Sequence, residues 1–257
     1  MNRIKAKFDE LKKQGRKALI GYLTAGDPDI RTSEKIMRAA LTNGVDILEI
    51  GVPFSDPTAD GPTIQAAGQR ALKAGANLKR ILNLAKNLRR SFDNPFILFS
   101  YVNPLFSYGY EKICRDAVSC GIDGFLVVDL PFEESDELRR RMRRHGLTFI
   151  QLIAPTTSPR RALKLLKHAD GFVYYIMVKG VTGKRQQLDD RRIAAQITKL
   201  RKIAKIPVAA GFGIGDASQA RAAAKQADAI VVGSALIEAA RGGKLKSFVR
   251  ELADAVH

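Results

Sequence analysis

Eight short apolar runs, separated by amphipathic segments along a chain of 257 residues, predict an α/β fold. The expected architecture is a single (β/α)8 TIM barrel with an extra N-terminal helix, formed by residues 1–257 as one domain. Each amphipathic segment provides the crossover connection that two parallel neighbouring strands require. The chain length is also typical of an α/β barrel.

The eight apolar runs read as buried strands. They are continuous instead of alternating with polar residues, which is typical of strands covered on both faces. They are ALIGYLTAG (18–26), ILEIGVPF (47–54), PFILFSYV (95–102), GFLVVDL (124–130), TFIQLIAP (148–155), GFVYYIMV (171–178), PVAAGFG (207–213) and AIVVGSAL (229–236). In a barrel of this kind the chemistry is expected at the carboxyl ends of the strands.

The segments between the strands have apolar residues at i, i+3 and i+4, as helices with one buried face do. Several of them end at a glycine, such as Gly121 and Gly146, which suits a left-handed helix cap. Wider gaps at residues 55–94 and 179–206 predict additional structure after the second and sixth strands. An amphipathic segment at residues 2–14 predicts a helix that covers the amino-terminal end of the barrel.

An open, doubly wound sheet is the competing architecture for alternating strands and helices. It would be favoured by a G-x-G-x-x-G turn after the first strand, and the sequence has no such turn there. No obvious second domain is present either, so the closed barrel is the better interpretation.

The strongly basic composition is the least expected feature. Lys and Arg total 43 against 26 acidic residues, a formal net charge of +17. The basic residues are spread over most of the helical segments and are not accompanied by a nucleic-acid-binding motif. Solvated helix faces are the preferred interpretation, with weak polyanion binding as the alternative, and no specific nucleic-acid partner is expected.

Cysteine usage and the amino terminus bear on cellular location. Cys114 and Cys120 lie six residues apart in one predicted helix without metal-ligand partners, so they are expected to be free thiols and no metal site is predicted. The amino-terminal stretch is charged and lacks the apolar centre of a signal peptide. No run of about 18 apolar residues occurs, so we expect a cytoplasmic protein without a membrane interaction.

Two acidic residues stand out in LEIGVPFSDPTADGP, residues 48–62. Glu49 lies inside the second strand near its carboxyl end, where burial raises the pKa of a carboxyl group. Asp60 lies on the following loop, where we expect it to stay ionised. Two acids with separated pKa values are typical of divided acid and base roles. The alternatives are a buried Glu satisfied by backbone donors and an Asp that caps a turn or helix.

Glycine-rich loops at three adjacent strands indicate a phosphate site. Gly213 follows the seventh strand in AAGFGIGDASQ, and Gly233 and Ser234 follow the eighth strand in VVGSALIE. Free backbone N–H groups at such helix starts bind phosphate in many barrels of this type. The segment KGVTGKR, residues 179–185, predicts a loop that closes over the ligand. Taken singly, each loop is also compatible with an ordinary tight turn.

Six motifs extend over nearly the whole chain: YLTAGDP, LEIGVPFSDPTADGPTIQ, SYVNPLFSYG, IAPTTSP, GVTG and GFGI. With these motifs in this order, the chain closely resembles the alpha subunit of tryptophan synthase. The resemblance implies a lyase of tryptophan biosynthesis that cleaves indole-3-glycerol phosphate to indole and glyceraldehyde 3-phosphate by a retro-aldol reaction. It implies no metal and no organic cofactor in this chain. Pyridoxal phosphate is expected only in a partner beta subunit, within an alpha2beta2 heterotetramer.

The resemblance also implies catalytic roles. Glu49 matches the general acid/base residue of the family, and Asp60 matches the residue that faces the indole N–H. Tyr174 matches an active-site tyrosine, with a core aromatic as the alternative. Thr182 matches the threonine of the closing loop, which orients Asp60 in the family.

Substrate-binding positions carry over in the same way. The positions that match the phosphate site are Gly183, Gly213, Gly233 and Ser234. The positions expected to line the indole pocket are Tyr22, Leu98, Leu126, Ile153 and Phe212. Plain barrel filling is the alternative for each member of the second set.

The beta-subunit surface and the departures from the family pattern complete the resemblance. The residues that match the docking surface are Pro53, Asp56, Pro57, Asn103 and Pro104, for which a rigid proline turn is the alternative. The departures are Thr58, Val128, Phe132, Met177 and Lys179. Two further interpretations stay open. One is a stand-alone indole-releasing lyase or a related phosphate-binding barrel isomerase, and the other is a catalytically weak subunit that only docks to and activates a beta subunit.

Overall fold

The computed structural model of the chain describes residues 2–176, 190–211 and 213–257. Its strands are β1 (Ala18–Thr24), β2 (Ile47–Gly51), β3 (Phe96–Ser100), β4 (Gly124–Val127), β5 (Thr148–Phe149), β6 (Gln151–Ile153), β7 (Val173–Ile176), β8 (Val208–Gly211) and β9 (Ala229–Val232). They form one parallel sheet in the order β5-β4-β3-β2-β1-β9-β8-β7-β6. The predicted barrel is confirmed.

The two ends of this strand order belong to one predicted strand, residues 148–155. Its first half, β5, pairs with β4, and its second half, β6, pairs with β7. Ile150 lies between the halves, and its N–H donates to the carbonyl of Phe125 at 2.8 Å. The nine observed strands are therefore the eight strands of the prediction, and the ring closes through the fifth one.

Helices alternate with the strands, as the crossover argument requires. They are α1 (Arg3–Lys13), α2 (Ile30–Thr42), α3 (Pro62–Lys73), α4 (Leu78–Arg89), α5 (Val102–Tyr108), α6 (Tyr110–Ser119), α7 (Asp136–Arg144), α8 (Pro159–Leu166), α9 (Asp190–Ile203), α10 (Ala217–Ala224), α11 (Ser234–Arg241) and α12 (Leu245–Val256). Gly121 and Gly146 follow α6 and α7 with φ of 81° and 71°, the left-handed conformation that their positions predicted.

The extra amino-terminal helix α1 covers the amino-terminal end of the barrel. Its Phe8 ring lies 5.7 Å from the ring of Phe172, directly before β7. Arg3 pairs with Asp123, directly before β4, at 3.0 Å. The expectation for residues 2–14 is confirmed, because both contacts lie where strands begin.

The register of the strands decides which side chains face the interior. In parallel strands the aligned residues point the same way, and successive residues point to opposite faces. Tyr22 of β1 aligns with Glu49 of β2, and Glu49 aligns with Ile97 of β3. On the other side of the ring, Tyr174 of β7 aligns with Ala209 of β8. These residues face the inside of the barrel.

Helix α3 lies in the predicted wide gap after the second strand, together with α4. Two polar contacts attach it to neighbouring elements. Arg70 donates two hydrogen bonds to the Asp27 carboxylate at 2.7 and 2.8 Å. Thr63 donates to Glu238 of α11 at 2.9 Å. Helix α3, which begins two residues after Asp60, is thus joined to the turn after β1 and to the helix that follows β9.

The remaining composition-based expectations concern thiols and membranes. Cys114 and Cys120 are both free and buried, as predicted. Within the described ranges, no helix combines the length and the apolar character that crossing a membrane demands.

Candidate active site

Glu49 is the central feature of the barrel interior. It lies in β2 with a relative exposure of 0%. Neither carboxylate oxygen has a hydrogen-bond partner among the described residues. Burial raises the pKa of the Glu49 carboxyl to about 8, because the charged form loses its solvation. The alternative of a glutamate satisfied by backbone donors is therefore not supported by the described contacts.

Two tyrosines flank Glu49. Burial raises the pKa of the Tyr174 phenol well above its ordinary value, and the nearby Glu49 carboxylate raises it further. Tyr22 lies beside Glu49 in the register, and its ring meets the ring of Phe99 edge-on at 4.8 Å. A Cβ at position 211 would come within 2.8 Å of the Tyr174 hydroxyl, so Gly211 makes room for that ring.

Asp60 lies on the loop between β2 and α3 and is half-buried. Burial raises its pKa to about 6, and a hydrogen bond with Tyr101 acts in the opposite direction. Asp60 is thus less open to solvent than we expected, although at pH 7 it is still mostly ionised. The carboxylate also raises the pKa of Tyr22, which shows that Asp60 and Glu49 border the same space around that ring.

The predicted phosphate positions that the structure describes follow β8 and β9, and only β1 separates β9 from β2 in the sheet. Gly233 precedes α11 and Ser234 begins it, so the first N–H groups of this helix have no acceptor within the helix. A Cβ at Gly233 would lie 3.5 Å from the Tyr22 side chain. Gly213 is exposed in the segment before α10. The Tyr22 side chain therefore lies between the start of α11 and Glu49.

The indole-pocket prediction for Leu98 is wrong by one residue. Leu98 aligns with Ile50, and both lie on the face opposite to Glu49. Phe99 aligns with Gly51 and contacts Tyr22, so it faces the interior. Side chains alternate along a strand, so Leu98 faces the surrounding helices and its neighbour Phe99 takes the predicted place in the interior.

Ile153 shows the same error. Ile153 aligns with Tyr175 and packs in a cluster with helix residues such as Leu165, outside the barrel. Leu152 aligns with Tyr174 and is only partly buried, as expected for a residue that borders a chamber. Leu126 aligns with Phe99 and faces the interior, consistent with its predicted location.

The predicted docking surface is mostly accessible. Asp56 and Asn103 are exposed, and Pro57 and Pro104 are half-buried. Pro53 is buried, so it supports the loop from below and offers no surface to a partner. Sequence reasoning missed Phe106 of α5, which is 68% exposed beside Asn103 and Pro104. An apolar residue inside the motif SYVNPLF was the available signal.

Some predicted residues lie outside the described ranges. These are Thr182, Gly183 and Phe212, together with the departures Met177 and Lys179. Among the described residues, no group of three or more His, Cys, Asp or Glu side chains could hold a metal ion.

Comparison with known proteins supports one family. The family model described as tryptophan synthase alpha chain matches residues 8–254. The chain belongs to the tryptophan synthase alpha chain family. A curated relative named tryptophan synthase alpha chain, from Geotalea uraniireducens, is 46% identical over 249 residues, which covers 96% of this chain and 93% of the relative.

Solved structures of similar proteins have the same fold. A chain from Aquifex aeolicus is 42% identical and superimposes with a TM-score of 0.93 over the full length of both chains. A chain from a crystal structure of tryptophan synthase from M. tuberculosis is 31% identical with a TM-score of 0.92, covering 100% of this chain and 98% of that chain. The barrel is therefore that of the tryptophan synthase alpha chain family.

Proposed function

We propose that Glu49 and Asp60 of this chain cleave indole-3-glycerol phosphate to indole and glyceraldehyde 3-phosphate. The chain is the alpha subunit of a tryptophan synthase and acts as a carbon–carbon lyase in tryptophan biosynthesis. The observation that carries the residue assignment is the buried Glu49 carboxyl, which has no partner among the described residues and faces the barrel interior. A substrate atom provides the partner that this group lacks.

Glu49 is the general acid and base of the proposed reaction. With a pKa of about 8 it is protonated at neutral pH and can donate its proton to C3 of the indole ring. The carboxylate formed then accepts the proton of the adjacent side-chain hydroxyl. That oxygen becomes the aldehyde carbonyl, the carbon–carbon bond breaks, and its electron pair returns to the ring. The proton count balances, and no redox partner is required.

Asp60 stabilises the positive charge that develops at the ring nitrogen when C3 is protonated. Its pKa of about 6 leaves it mainly ionised at pH 7, so it accepts a hydrogen bond from the indole N–H. Separate pKa values of about 8 and about 6 assign the acid role to Glu49 and the anionic role to Asp60.

The remaining interior residues bind and orient the substrate. Tyr22, Phe99, Leu126 and Leu152 form the apolar wall for the indole, and Tyr174 lies against Glu49. The start of α11 at Gly233 and Ser234 directs backbone N–H groups toward the substrate phosphate, which a helix N-terminus favours. Both ends of the substrate thus contact described elements of the barrel mouth.

The partner is a tryptophan synthase beta subunit, which carries the pyridoxal phosphate, and we assign no cofactor to this chain. The surface formed by Asp56, Pro57, Asn103, Pro104 and Phe106 is the proposed contact region. Aromatic residues such as Phe106 are enriched in the centres of protein interfaces. An exposed aromatic ring in the same short helix as Asn103 and Pro104 therefore suits docking.

Indole release from indole-3-glycerol phosphate tests the assignment. The wild-type chain should release indole alone and faster with a beta subunit present, and Glu49→Gln should abolish release in both conditions. Glu10→Gln, an exposed acid on α1, is the matched control. Equal release by Glu49→Gln and wild type would overturn the role of Glu49. Activation of a beta subunit without any indole release would instead support the docking function.

A further inference from the structure

Tyr101 is a buried polar side chain that the proposed reaction does not use. It follows β3 directly, is 2% exposed, and precedes the first residue of α5 without capping that helix. Its ring lies 5.1 Å from the ring of Phe54 at an interplanar angle of 33°. The packing fixes the ring, so the position of the hydroxyl group is also fixed.

The Tyr101 hydroxyl contacts two consecutive residues of the loop after β2. Its oxygen accepts a hydrogen bond from the N–H of Ala59 at 3.0 Å. The Asp60 carboxylate lies near the same hydroxyl, since it raises the pKa of Tyr101 while the hydroxyl acts to lower the pKa of Asp60. A phenol group can donate once and accept at the same time, so the hydrogen bond from Ala59 leaves the Tyr101 O–H available to the carboxylate.

Other contacts support the same turn from the opposite side. The N–H of Asp60 donates to the carbonyl of Pro57 at 3.1 Å. Gln65 donates from α3 to the carbonyl of Asp60 at 2.9 Å. These contacts reach only the backbone of Asp60. Among the described side chains, that of Tyr101 acts on the carboxylate by lowering its pKa.

We propose that Tyr101 is a positioning residue for the known reaction: its hydroxyl holds the Asp60 carboxylate toward the barrel interior and keeps it ionised for the indole N–H. This inference rests on the proposed role of Asp60. Tyr101 acts through Asp60 and does not itself contact the reacting atoms.

Tyr101→Phe tests the inference, because the ring and its packing against Phe54 are kept and only the hydroxyl is lost. Without its donor, the Asp60 carboxylate becomes easier to protonate. The acidic limb of kcat/KM against pH should shift upward by about one pH unit, and kcat should fall about threefold at pH 6.5, because the ionised fraction of Asp60 falls from about three quarters to about one quarter. Glyceraldehyde 3-phosphate formation is followed with the beta subunit present.

Tyr108→Phe is the matched control. Tyr108 also donates its hydroxyl to a carboxylate, that of Asp116 at 2.8 Å, but on the outer helices. This variant should keep the wild-type pH profile. Tyr101→Phe with a lower Tm but an unchanged acidic limb would overturn the positioning role.

Asp60→Asn distinguishes the catalytic role of Asp60 from the positioning role of Tyr101. If Asp60→Asn keeps wild-type activity, the proposed function of Asp60 is wrong. If Asp60→Asn is inactive while Tyr101→Phe keeps the wild-type profile, only the positioning role is overturned. The double variant should have the same kcat as Asp60→Asn alone, because Tyr101 acts only through Asp60.

Discussion

The buried Glu49 carboxyl predicts a specific dependence of stability on pH. In the unfolded chain the pKa of this carboxyl is near its ordinary value of 4.5, and in the folded chain burial raises it to about 8. Between these two values the folded state holds one proton more than the unfolded state. The contribution of Glu49 to stability is therefore fully present below about pH 4.5 and is lost as the pH rises toward 8.

The magnitude follows from the size of the pKa shift. One pKa unit corresponds to about 1.4 kcal/mol, so three pH units between pH 5 and pH 8 correspond to at most about 4 kcal/mol. Glu49→Gln cannot ionise and removes this dependence while it keeps nearly the same volume. At pH 7 the variant should be more stable than the wild type by up to about 3 kcal/mol.

Urea unfolding of both proteins at pH 5, 6, 7 and 8 measures the effect. The difference in free energy of unfolding between Glu49→Gln and wild type should grow steadily with pH. Glu251→Gln, on the exposed face of α12, is the control and should show no such trend relative to wild type. A difference between Glu49→Gln and wild type that stays constant across this range would refute the burial argument.

Three further substitutions test other parts of the structure. Gly211→Ala should lower kcat/KM at least about tenfold, since the added Cβ would displace the Tyr174 ring. Gly215→Ala is the control and should be neutral in the same assay, because no atom lies closer than 3.7 Å to its added Cβ. Asp123→Asn should lower the free energy of unfolding by about 3 kcal/mol, because the carboxylate binds two arginines and a backbone N–H. In a thermal unfolding scan, Tm should fall by roughly 6 to 12 °C. Indole release at 25 °C should be unchanged. Phe106→Ser should weaken beta-subunit binding about tenfold or more in calorimetry and leave indole release by the isolated chain intact; unchanged affinity would exclude Phe106 from the interface.

The barrel was predictable because it depends on patterns that extend along the chain. Continuous apolar runs and crossover segments specify parallel strands without detailed contacts, and the broken fifth strand changes only a local pairing. Glu49 and Asp60 were singled out from their location at and after the end of the second strand, and their catalytic roles stay a proposal. The prediction that 1–257 form one domain stays a prediction.

Residue-level features were less predictable, for a physical reason. Leu98 and Phe99 are both large and apolar, so composition does not show which one faces the interior, and a shift of one residue exchanges the two faces. Leu152 and Ile153 pose the same problem. Tyr101 could not be recognised either, since its contact with Ala59 joins residues 42 positions apart and depends on the folded loop.

The hydrogen bond between Thr63 and Glu238 joins α3, the helix after the Asp60 loop, to the helix whose start is proposed to bind phosphate. A ligand whose phosphate binds at the N-terminus of α11 therefore also restrains α3, which begins two residues after Asp60. Binding energy from the non-reacting end of the substrate is in this way transmitted to the end where the bond breaks. An analogue that lacks the phosphate should accordingly lose turnover as well as affinity.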